Sequence, residues 1–143
     1  MAATAFEQLL QRVADVIASA STPAGPRVVR HQADDEWSPE DCPMVFVRRG
    51  ATRRMATAPI GMLDHELTVL VHHLVSGPNW EAAADELHHA VHAALCGSAE
   101  LQALGIELTA TETRAQSGST TLGELAASYR IAVRTDTTLN LVS

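Results

Sequence analysis

The chain has 143 residues, 46% apolar and 19% charged, the balance of a folded soluble domain rather than a disordered tract. A single domain over residues 1–143 is expected, because a chain of this length buries roughly 68–70% of its unfolded surface without covalent staples. The net charge of −7 argues against a general nucleic-acid binder, and aromatics at 3% leave the core aliphatic and alanine-rich.

Cys42 and Cys96 are the only cysteines and form no CxxC pair, so free or buried thiols in a reducing compartment are expected. The opening MAATAFEQLLQRVADV has no basic segment followed by an unbroken apolar run, which argues against a signal peptide. No stretch approaches the ~18 apolar residues of a membrane span. The chain is expected to act in the cytoplasm or in a particle assembled there.

A first helix is predicted from Thr4 to Ala20. Thr4 and Glu7 form a capping-box signature, and Phe6, Leu9, Leu10, Val13, Val16 and Ile17 recur at helical spacing. Ser21–Pro26, with two prolines and a glycine, ends it. Arg27–His31 reads as a short strand, and the polar, acidic Gln32–Pro43 as a long loop. Met44–Arg49 is strand-like. Gly50–Thr52 reads as a turn leading to a short extended piece at Arg53–Ala58. His65–Val75 is a strand with Leu67, Val69, Val71 and Val75 on one face and Glu66, Thr68 and His72 on the other.

Gly77-Pro78-Asn79 breaks that strand, and Asn79 is placed to cap a second helix reaching Leu95. Its stripe holds Trp80, Ala84, Leu87, Val91, Ala94 and Leu95, while Glu81, Asp85, His88, His89 and His92 fill a polar sector. Gly97 is placed to serve as its C-cap, and Ser98–Leu104 adds one more turn. Two strands close the chain. Gly105–Arg114 sets Ile106, Leu108 and Ala110 against Glu107, Thr109 and Thr111. Leu122–Arg134 sets Leu125, Ala127, Tyr129, Ile131 and Val133 against Glu124, Ala126, Ser128, Arg130, Ala132 and Arg134. Ala115–Thr121 is turn chemistry and makes the pair an antiparallel hairpin. The fold class expected is α+β: two main helices packed on a largely antiparallel β-sheet.

Motifs for chemistry are absent. There is no GxSxG, no GxGxxG, no P-loop and no HExxH, and Ser117-Gly118-Ser119 sits in a hairpin turn rather than a nucleophile elbow. No enzyme activity, cofactor or metal is expected. His88 and His92 are spaced i, i+4 with Asp85 a turn earlier, a spacing zinc can use, yet their polar sector reads as a solvated or subunit-facing surface. His73 shares a face with Val69, Val71 and Val75 and is expected to be buried and hydrogen-bonded. The acidic Asp34, Asp35, Glu36, Glu40 and Asp41 read as a solvated loop rather than a cation site.

One charge feature stands out. Arg48, Arg49, Arg53 and Arg54 put four arginines into seven residues of an acidic chain. Two readings stand side by side: a loop meeting an acidic partner or lining a channel, and a soluble turn that discourages edge aggregation. Arg48, Arg49, Arg53 and Arg54 with Glu81, Asp85, His88 and His92 are the candidate oligomer or partner contacts.

The order of elements carries a resemblance. An amphipathic helix precedes DDEWSPEDCPMVFVRRG. The strand HELTVLVHHLVSG leads to the helix WEAAADELHHAVHAALCG, and GIELTATETRAQSGSTTLGELAASYRIAVRTDTTLNL closes the chain. Over nearly its whole length this resembles the minor tail protein U family and related tail terminator and tail completion proteins of long-tailed phages. The helix ending near HHAVHAAL and the terminal Y-x-I-x-V-R-T strand are the nearest points of likeness. The resemblance implies a structural protein of a phage or prophage tail, assembled in the host cytoplasm. It implies a ring of six copies that ends growth of the tail tube and presents a surface to head-completion or connector proteins. The partners implied are other copies of the chain, the tail tube protein and those head proteins, with DNA only passing through the ring and no membrane. Another head–tail connector or tail component, and a histidine-based metal-binding protein, are the alternatives.

Overall fold

The computed structural model describes residues 3–30 and 38–142. Helix α1 spans Ala5–Ser19, with the Thr4 hydroxyl accepting from the Glu7 backbone N–H at 3.4 Å. Its buried side is Ala5, Phe6, Leu9, Leu10, Val13, Ala14 and Ile17, the stripe expected from the spacing. A turn over residues 20–26 leads to β1 (Val28–Val29), and a short 3₁₀ turn at Pro39–Asp41 precedes β2 (Met44–Met55). His31 and Asp34-Asp35-Glu36 lie outside the described residues. Strand β3 (Met62–Ser76), α2 (Trp80–Cys96), the short α3 (Ala99–Ala103), β4 (Glu107–Gln116) and β5 (Leu122–Asp136) complete the chain.

The five strands form one sheet in the order β1-β2-β3-β5-β4, antiparallel except for the two-residue parallel pair of β1 with β2. This is the α+β class expected. Helix α2 packs over β3 and β5, and α1 over β1 and β2, so both helices cover one face; the other, called the open face below, carries no helix, although Met44, Phe46 and Leu74 at one end of it are buried. Between the layers Leu67, Val69 and Val71 of β3 meet Ala127, Tyr129 and Ile131 of β5, all with 1% exposure or less. Their period of two explains the face they share. No helix among the described residues is long and apolar enough to cross a membrane.

Gly123 shows how α2 is seated. A Cβ built there would lie 2.3 Å from Trp80 Cε3, so the indole rests directly on the β5 backbone. Any side chain at 123 would drive Trp80, the first residue of α2, off the sheet. Asn79 does occupy the N-cap position, but its side chain makes no capping hydrogen bond.

Three local expectations are corrected. Gly50–Thr52 is not a turn: β2 runs on to Met55, with a bulge between Arg49 and Thr52 where the register to β3 shifts. Glycine is required there, because a Cβ at 50 would meet Thr68 Cγ2 at 2.9 Å. The second is β4, whose alternation is not expressed as burial. Ile106 and Leu108 are half-buried, but every residue from Thr109 to Gln116 is exposed, Ala110 included. The strand lies outside the main footprint of α2 and forms the sheet's edge. The third is Glu124, assigned to the outward face but only 7% exposed.

Candidate functional site

The four arginines do not form a loop patch. Because β2 is continuous, they alternate across the sheet. Arg48 pairs in register with Leu70 and Arg53 with Glu66 on the open face, while Arg49 and Arg54 lie opposite Val69 and His65 on the helix side. Arg49 is held by the fold. Its guanidinium stacks 4.5 Å above the Phe6 ring and donates to Thr52 Oγ1 at 3.0 Å. Arg53 approaches Glu66 at 3.6 Å, an exposed and weak pair. Arg48 and Arg54 make no ion pair or hydrogen bond among the described residues, and these two keep free charge for a partner.

The open face carries a polar cluster that sequence reasoning missed. His72 Nδ1 donates to Glu124 Oε1 at 2.7 Å, and Arg114 donates to Glu124 Oε2 at 3.0 Å. Burial works to raise the Glu124 carboxyl, but the hydrogen bonds from His72 and Arg114 outweigh it and hold it below the usual carboxylate range. These groups line a concavity of about 490 Å³ together with Arg48, Ala110, Ala126 and Ser128. The register was the available signal, since Arg114 stands directly opposite Glu124 in the hairpin. Toward the other end of that face Arg134 forks onto Asp64 at 2.7 and 3.0 Å, and Thr57 adds a further bond. Together they hold the Asp64 carboxyl down at about 2.

Helix α2 splits its expected site residues. Glu81 and Asp85 are exposed, as the wheel requires. His88 and His92 are half-buried rather than fully solvated, which corrects their assignment to the polar sector. Each follows a buried residue, Leu87 or Val91, at the border of the stripe, and its ring turns toward the sheet. His92 Nδ1 lies 2.9 Å from the Tyr129 hydroxyl and its Nε2 3.4 Å from Cys96 Sγ. His88 sits edge-to-face on His73 with centroids 4.9 Å apart. His73 is fully buried as expected, its Nδ1–H donating to the Leu125 carbonyl at 2.8 Å. Burial pushes the His73 imidazole down to about 4 and lowers His88 too. Both are neutral at pH 7. Among the described residues no three His, Cys, Asp or Glu side chains are grouped to hold a metal ion.

Both cysteines are free, and burial pushes the Cys42 thiol up to about 11, which leaves it protonated and a poor nucleophile at neutral pH. The chain matches no protein-family model and no curated protein. Chemically, the arrangement offers charged and apolar surface at the sheet's open face, at its β4 edge and on the outside of α2.

Proposed function

We propose that the chain is a non-enzymatic structural subunit of a phage or prophage tail that assembles head-to-tail into a ring. The ring closes the tail tube and offers a surface to head-completion or connector proteins, as tail terminators of the minor tail protein U family do. The observation that carries this reading is β4, a ten-residue edge strand whose residues from Thr109 to Gln116 are all exposed. Alone, such a strand is a liability; in an assembly it is contact surface. The free charge of Arg48 and Arg54 and the exposed Glu81 and Asp85 of α2 add complementary patches on separate parts of the subunit. Contacts between unlike patches are heterologous and close into rings or run on as filaments. Exposed ion pairs are individually weak, so assembly on the tube as a template fits this surface.

The reading is tested by light scattering of the chain with and without purified tube protein, followed by imaging of tube ends. Decorated ends and a multimeric mass are expected. A chain that stays monomeric and never decorates an end is not a terminator. Loss of the gene gives overlong tails in this reading, whereas normal-length tails without heads mean a connector instead. Reversing charge with Arg53→Glu and Arg54→Glu is expected to impair assembly and leave the subunit folded, because only the long Glu66 contact of Arg53 is lost. Wild-type assembly by that variant would leave the arginines a solubility role alone.

A further inference from the structure

We propose that Ile60 is the anchor of the contact between copies, inserting into a cleft between the exit of α1 and the outer side of α2 on the next copy. This rests on the self-assembly reading above and assigns it a site.

Ile60 is the one large apolar side chain among the described residues left exposed, at 104% of its reference area. It sits at the tip of the β2–β3 hairpin, where residues 55–63 contain no charged group in a chain that is 19% charged. Solubility does not explain such a tip. Its shape is fixed: Met62 N–H donates to the Pro59 carbonyl at 3.1 Å, and Thr57 Oγ1 donates to Asp64 at 2.7 Å. Gly61 supplies the left-handed φ of 86° that the turn needs. An apolar knob already held in place loses little freedom on docking, which is what an anchor residue requires.

The chain also carries a shallow surface cleft with an apolar strip and a polar border, Ser21 and Thr22 among the latter. Pro23, Ala90 and Ala93 line this cleft of about 590 Å³ together with Glu86 and His89. Charge sorts the approach. Exposed Arg53 and Arg54 stand behind the tip, and exposed Asp85 and Glu86 stand beside the cleft.

Tip and cleft cannot meet within one subunit. Phe6 at the start of α1 packs on His65 near the root of the hairpin, with centroids 4.9 Å apart. The cleft lies past the other end of α1, roughly 22 Å along the helix axis. A contact of tip with cleft therefore joins unlike surfaces of two copies, the head-to-tail kind of contact that a ring is built from when its rotation closes.

The test uses the full chain in a Cys42→Ser, Cys96→Ser background. One preparation carries Ile60→Cys, a second carries Ala93→Cys, and the two are mixed under mild oxidation with and without tube protein. A mixed disulfide dimer in preference to either self-dimer is expected. In parallel, Ile60→Asp in the otherwise natural chain is expected to raise the concentration needed for assembly at least tenfold. Its thermal unfolding should be unchanged, since the side chain touches nothing in its own subunit. If Ile60→Asp assembles like the natural chain and the mixed disulfide does not form, the anchor is wrong and the ring survives. If the natural chain never assembles with or without tube protein, the self-assembly reading has failed and this inference falls with it. Crosslinking of the Ile60→Cys chain to tube protein, in place of the Ala93→Cys chain, would make the tip a docking site for that partner and overturn the pairing proposed.

Discussion

Ile131→Ala is expected to lower the stability of the subunit by about 2–5 kcal/mol. Ile131 is fully buried on β5, opposite Leu67 of β3 and within the core that α2 closes. Truncation removes three carbons from a layer whose neighbours are held by two strand pairings and a helix, so the gap cannot collapse easily. Urea denaturation at pH 7 measures the loss as a lower midpoint with an unchanged slope. A change below ~1 kcal/mol would mean that this face of β5 is not packed. Ala126 and Ser128, half-buried on the opposite face, supply the contrast, since substitutions there remove little buried area.

The second large effect is acid sensitivity centred on His73. Its folded pKa of about 4 lies below the ordinary 6.5 because burial disfavours the imidazolium. The unfolded chain therefore takes up this proton at a higher pH than the folded one. The stabilisation is complete above pH 6.5 and is lost as pH falls from there toward 4, amounting to about 3 kcal/mol at the lower limit. His88 has its pKa moved in the same direction and steepens the loss. Urea midpoints at pH 7, 5.5 and 4 follow the effect. His73→Gln keeps a donor for the Leu125 carbonyl but cannot titrate. It should flatten the pH dependence while unfolding at a lower midpoint at pH 7. An equally steep dependence in that variant would assign the acid sensitivity to other groups.

Much of this fold is legible along the chain. Leu125 to Val133 alternate without interruption, and Phe6 to Ile17 repeat at helical spacing, so burial follows directly from periodicity. Legibility fails where a partner element decides. Gly50 between paired arginines has turn chemistry, but fifteen-residue β3 runs alongside and draws β2 through as a bulge. His88 and His92 fall at the border of the apolar stripe, where a wheel assigns a direction but cannot say how far a ring reaches inward. Tyr129 supplies the partner that draws His92 in, and it lies thirty-seven residues further along the chain. Glu124 is charged and on the expected solvent face, yet His72 and Arg114 enclose it; the hairpin register brings in Arg114, but His72 lies fifty-two residues away. Among the candidate contacts, the type of each residue was readable; which face it serves was a property of the sheet.

The solvent-exposed β4 also grades the molecule in time. Its backbone bonds on one side only, to β5, and few side chains from Thr109 onward bury apolar area that would resist opening. The central β3–β5 pair is hydrogen-bonded over the full fifteen residues of each strand and lies beneath α2. Local opening therefore begins at β4, and its amides should exchange with solvent by small fluctuations while those of β3 wait for global unfolding. A neighbour bound along β4 would slow that exchange without altering the subunit's own fold, so the free edge is also where assembly would be recorded most directly in the molecule's motions.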